Sequence, residues 1–180
     1  MSASSKSFSG ELRSAADSRA VTFHSASNSA AWRPDAKGAA PPTGGEGCVE
    51  EAIKYMTVHS LSEPAPLRFI YSRHYNIFTI LYLEDYINLS AENYLALYNE
   101  PSWKDEYQLL DVNDCYTPLT LENMANNEYE VVILDVHHSR TFYICAEHVI
   151  GDQKWAYVMA GDACPMEAAR FKIKVTRRGL

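Results

Sequence analysis

The chain has 180 residues, 47% of them hydrophobic and 22% charged, with 23 acidic and 16 basic residues. That is the length of one ordinary domain, with enough apolar residues for a single core without disulfide staples. The net charge of −7 argues against non-specific binding to nucleic acid or to an anionic membrane surface. No run approaches the roughly 20 apolar residues of a spanning helix.

In chain order, residues 1–45 come first. They hold ten Ser and ten Ala but only three aromatics, Phe8, Phe23 and Trp32. Such a composition reads as a disordered Ser/Ala-rich tail, because it offers little apolar surface to offset the entropy of ordering it. It closes on the linker-like Pro41-Pro42-Thr43-Gly44-Gly45. A plain extension, an organelle presequence and a segment that resembles bacterial type III secretion signals all remain open for it. Residues 46–180 are expected to form a single α+β domain. Val49, Ala52, Ile53 and Met56 recur at helical spacing, so a helix is expected from Cys48 to Ser60 and ends at Glu63-Pro64. Residues 67–71 and 77–83 read as two strands about a polar turn. Ser90, with Leu89 and Tyr94 as a hydrophobic staple, is expected to cap a short helix that runs to about Asn99.

The last third carries four strand-like runs, 129–136, 141–149, 154–160 and 170–175, joined by hairpin-sized links. Phe171, Ile173 and Val175 alternate with Arg170, Lys172 and Lys174, the pattern of a half-exposed strand. The expected fold is therefore α+β, with an N-terminal helix followed by a mainly antiparallel sheet that ends in a four-strand meander.

Cys48, His138 and Asp162 form the most suggestive constellation. Cys48 follows Gly44-Gly45-Glu46-Gly47 and opens the expected helix, where the backbone dipole favours a thiolate. His138 stands at the entrance of one hairpin strand and Asp162 at the end of the next, so the acid can orient the imidazole. With Gly45-Glu46-Gly47-Cys48-Val49-Glu50-Glu51-Ala52 and His138-Ser139-Arg140-Thr141-Phe142-Tyr143-Ile144-Cys145 in this order, the chain resembles the papain-like cysteine peptidases. It is most similar to their compact bacterial members, effector and toxin domains included. The resemblance implies Cys48 as nucleophile, His138 as general base and Asp162 as orienter of a thiol hydrolase (peptidase, deamidase or acyl transferase). His137, His148 and His74 stay open as alternatives to His138.

Two other signals stand beside the triad. His137, His138, Cys145, Glu147, His148 and Cys164 lie close in sequence without metal-ligand spacing, so neither a metal nor a cofactor is expected. Tyr and Trp crowd the middle of the chain, and Tyr75, Tyr82, Tyr86, Tyr94 and Trp103 are the candidate binding residues of an interface. The alternative to the hydrolase is thus a non-catalytic protein-binding module, or a subunit of a larger assembly, with a Tyr-rich surface. The expected partner is a protein in either case, with no nucleic acid and no membrane. The four cysteines, 48, 115, 145 and 164, show no CxxC pair; reduced thiols and a cytoplasmic location, reached directly or by delivery as an effector, are expected.

Overall fold

The computed structural model describes residues 7–25, 54–99, 101–162 and 164–179. Fourteen strands and one 3-10 turn, Val112–Asp114, make up their regular structure. The strands are β1 (Ser7–Ser14), β2 (Ala20–Ser25), β3 (Lys54–His59), β4 (Pro66–Ser72), β5 (Ile77–Tyr82), β6 (Asp85–Leu89) and β7 (Leu95–Tyr98). They continue as β8 (Tyr107–Asp111), β9 (Thr117–Pro118), β10 (Glu128–Asp135), β11 (Arg140–Ile144), β12 (His148–Ile150), β13 (Gln153–Gly161) and β14 (Phe171–Arg178). No helix among the described residues is long and apolar enough to cross a membrane.

All pairings are antiparallel, and they close. The shortest circuit runs β1, β4, β5, β8, β10, β14 and back to β1. A ten-strand circuit is closed as well, through β14, β1, β4, β5, β6, β7, β3, β13, β11 and β10. Closure removes the unpaired edges that an open sheet would expose. The chain therefore divides into three four-strand units, β1–β4, β5–β8 and β10-β11-β13-β14, each giving two strands to the six-strand ring. Each also gives one pair, β2/β3, β6/β7 or β11/β13, to a layer beside it. That is the pattern of a β-trefoil.

One large ring or branched residue from every strand of the ring fills the middle. Phe8, Phe69, Phe78, Leu109, Val131 and Phe171 are all fully buried, and Phe8 stacks on Phe69 at 4.5 Å between ring centroids. The three hairpins meet beyond the ring, where β3 pairs with both β7 and β13. One tyrosine comes from each unit there. Tyr55, Tyr94 and Tyr157 stand edge to face at 5.9, 6.0 and 5.5 Å, an arrangement that suits the ring quadrupoles. Burial, with the charges of Tyr98 and Glu92 behind it, drives the Tyr55 hydroxyl far above its ordinary titration range.

Five expectations are corrected. The fold is β, not α+β. The helix expected from Cys48 to Ser60 is strand β3 over Lys54–His59, because Tyr55, Thr57 and His59 face one layer and Met56 and Val58 the other, and all five are buried. Residues 7–25, expected as part of a tail, supply β1 and β2 of the barrel, with Phe8 and Leu12 fully buried. Residues 48–53, Cys48 among them, lie outside the described residues. Ser90 does act as a cap, its Oγ accepting from Tyr94 N at 3.1 Å, but the turn stops at once. Asn93 takes φ 67°, and the chain enters β7. The expected C-terminal meander is broken at its last step. β10, β11 and β13 pair in sequence, whereas β14 lies between β1 and β10.

Candidate interaction site

A turn joins the first two strands of the third unit, and a loop joins the last two strands of the second. These two segments meet. Val136 N donates to Glu106 O at 3.0 Å, extending the β8–β10 pairing in which Asp135 opposes Tyr107. The junction gathers His137, His138 and Asp135 from one side and Trp103, Lys104, Asp105 and Glu106 from the other.

Asp135 organises the turn. Its carboxylate is wholly buried and accepts the backbone N–H of His137 at 3.0 Å and of His138 at 3.4 Å. Its second oxygen lies 2.7 Å from His138 Nδ1. A carboxylate only accepts, so Nδ1 carries the proton and Nε2 of the half-exposed ring is left facing outward. Next to it, His137 Nε2 lies 3.3 Å from Glu106 Oε2.

The loop is pinned as firmly. Asn88, buried on β6, donates Nδ2 to Trp103 O at 2.9 Å and accepts Asp105 N at 3.0 Å. Asp105, 1% exposed, accepts Leu89 N at 2.6 Å. Tyr107, fully buried, donates its hydroxyl to Ile87 O at 2.8 Å. The Trp103 carbonyl, the Asp105 amide and carboxylate and the Tyr107 hydroxyl each have a partner, so the loop has little freedom from Trp103 onward. The Trp103 side chain is nevertheless 67% exposed. Beside it Lys104 places its ammonium 4.2 Å from the centroid of the Tyr86 ring, and Tyr86 stands opposite Tyr98 across the β6–β7 pair.

Burial holds the Asp105 carboxyl above the usual carboxylate range. The nearby Asp135 charge pushes the same way, while the Leu89 N–H and the imidazoles of His138 and His137 pull against it. An acid raised in the fold stabilises it while protonated. That contribution is full below the unfolded value of about 3.8 and is lost as pH rises through the folded value. Asp105→Asn keeps an acceptor for Leu89 N. It should match the parent near pH 4 and exceed it at pH 7, as read by urea unfolding at the two values. A variant less stable than the parent at both values would contradict this.

The sequence-derived sites are distributed as follows. Cys48 lies outside the described residues. His138 is at the junction, but its acid is Asp135, three residues before it. The hairpin does return Gly161 opposite Thr141, yet Asp162 is 87% exposed and pairs with Arg140 Nε at 3.4 Å. Of the aromatic candidates, Tyr86 and Trp103 share the junction's rim. Tyr94 is buried in the three-tyrosine cluster, Tyr82 stacks on Phe23 at 4.9 Å, and Tyr75 lies edge-on to His74 in the β4–β5 turn. They do not form one surface. Asp105, Asn88 and Asp135 were missed, although Asp135 two residues before a His-His pair is a turn-capping signal. No group of three His, Cys, Asp or Glu among the described residues is placed to hold a metal ion. No family model, no curated protein and no solved structure matches the chain.

Proposed function

We propose that this chain is a protein-binding module whose contact surface is centred on Trp103, with Tyr86 and Tyr98 beside it. One observation carries the reading: a tryptophan held in water by a backbone bonded to β6 at its own carbonyl and at Asp105, through Asn88 and Leu89. An indole left exposed on a rigid loop gains its burial only on association, and pays little ordering entropy then. Tryptophan and tyrosine are the residues that most often dominate such contacts. The hydrolase reading retains one support, the Asp135–His138 pair, whose proton arrangement leaves a basic nitrogen outward. The same pair also has a purely local use, tying down a tight turn, and the acid assigned to the triad is engaged by Arg140.

Peptides selected from a displayed library on the full chain test the proposal. Those that bind should lose ten- to a hundredfold in affinity for Trp103→Ala, or about 1.4 to 2.7 kcal/mol. The exposed position should leave stability within about 0.5 kcal/mol of the parent. Selected peptides that bind Trp103→Ala as well as the parent would remove this surface from consideration.

A further inference from the structure

We infer that the segment docking on the Trp103 surface is basic, and that it binds by laying arginine side chains on the Tyr98 and Trp103 rings within reach of Glu92 and Glu106. The inference rests on the reading of that surface as the contact site and adds the chemistry of what it takes.

The first ground is that the surface already holds a cation in this way. Lys104 of the chain itself sits 4.2 Å over the Tyr86 ring, which is the geometry of a cation–π contact. Tyr98 is directly opposite Tyr86 on the neighbouring strand, at the spacing of a cross-strand pair, and among the described residues no cation lies over it. The ring is half-buried, and beyond burial the charges that act on it are those of Glu92 and Asp105. An anionic flank strengthens the pull of an aromatic face on a cation.

The second ground is the balance of charge. Around this rim Glu92 is exposed and Glu106 is half-buried. The cations that face it are committed elsewhere. Lys104 covers Tyr86, and Arg140 is bound to Asn93 and Asp162. His137 faces Glu106, and His138 faces Asp135. What is left for a partner is acidic, on a chain that is acidic as a whole at −7. Complementary charge would speed the encounter and select against acidic partners. Arginine suits the site better than lysine, because its flat, weakly hydrated guanidinium stacks on a ring and still offers donors to a carboxylate at the edge.

Three Trp-free synthetic peptides test this on the full chain: alternating Arg-Ser, alternating Lys-Ser and alternating Glu-Ser. The readout is tryptophan fluorescence, with Trp103→Phe identifying the share that comes from this residue. The Arg-Ser peptide should change the emission saturably, more tightly than Lys-Ser, with the change absent in Trp103→Phe and weakened by added salt. Glu92→Gln combined with Glu106→Gln should weaken it by up to about tenfold, the size of two exposed ion pairs. Binding of Glu-Ser as tight as that of Arg-Ser, indifference to the paired Gln substitutions, or no response to any peptide would overturn the inference. Its failure is separable from failure of the surface itself. Library-selected peptides that need Trp103 but carry no basic residues leave the surface standing and reject the basic partner. Selected peptides indifferent to Trp103→Ala reject the surface.

Discussion

Phe8→Ala is expected to destabilise the chain by about 3 to 5 kcal/mol, the usual cost of emptying a fully buried phenylalanine site. The ring stacks on Phe69 and meets Phe78 edge to face at 5.8 Å, so its loss strips contacts from β1, β4 and β5 together. β1 is also the strand that closes the barrel, paired with β14 along one side and β4 along the other. Deleting residues 1–14 should therefore prevent folding, since it would leave two open edges and a hole where Phe8 and Leu12 stood. Chemical unfolding of Phe8→Ala and circular dichroism of the deletion are the checks. A Phe8→Ala chain within about 1 kcal/mol of the parent, or a folded deletion, would show that the first strand is dispensable. A loss of the expected size consumes much of the 5 to 15 kcal/mol by which a domain of this kind is stable.

The misreading of that strand has a physical cause. Ser7, Ser9, Glu11 and Arg13 alternate with Phe8, Gly10, Leu12 and Ser14, a period-two pattern with only two large apolar residues. Averaged with the Ser- and Ala-rich stretch after it, the pattern vanishes into composition. The β3 error is of a different kind. Ala52, Ile53 and Met56 fit a helical spacing, but Tyr55-Met56-Thr57-Val58-His59 is rich in β-branched and aromatic residues, and a strand buried on both faces shows no alternation to contradict a helix. The strands of the last third were legible because their turns are polar and short, and because β14 alternates between buried and exposed positions from Phe171 to Thr176. The threefold repetition stayed hidden. Units spanning 7–72, 77–111 and 128–178 differ too much in length to show a period, and the tyrosines that mark their common axis sit in unlike words, Lys54-Tyr55-Met56, Asn93-Tyr94-Leu95 and Ala156-Tyr157-Val158.

At the candidate site the residue types were visible and their partners were not. His138 and Trp103 stood out as an imidazole and a large ring in polar surroundings. Which acid meets His138 depended on whether the turn closes on its own first residue or on the returning strand. Asp135 wins because it is already buried beside the turn and needs no further chain to be ordered, whereas Asp162 leaves the end of β13 toward solvent and Arg140. Local hydrogen bonds of Asp to backbone N–H two and three residues on are the default for this residue in a turn.

Asp135→Ala tests that division of roles and is the second large effect expected. The substitution removes a wholly buried acceptor from the part-buried His137 and His138 N–H groups and frees the His138 ring. Two part-buried donors left without an acceptor, and the loss of a buried charged acceptor, cost about 2 kcal/mol together. Asp135→Asn should cost less, since its Oδ1 still accepts the two backbone groups. It should also change the tautomer of His138, because the amide can donate to Nδ1 where the carboxylate could only accept. Imidazole 15N shifts read that change directly, and a merely structural loss would not move them in a folded variant. The turn carries Val136, whose N–H is held by Glu106 O at the foot of the Trp103 loop, so the damage should spread one step further. Library-selected peptides should bind Asp135→Ala more weakly than Asp135→Asn, and Asp162→Ala, which removes only an exposed partner of Arg140, should leave both stability and the His138 shifts where they are. A shift of the His138 signals in Asp162→Ala, with none in Asp135→Asn, would return the imidazole to the acid on the neighbouring strand and reopen the triad.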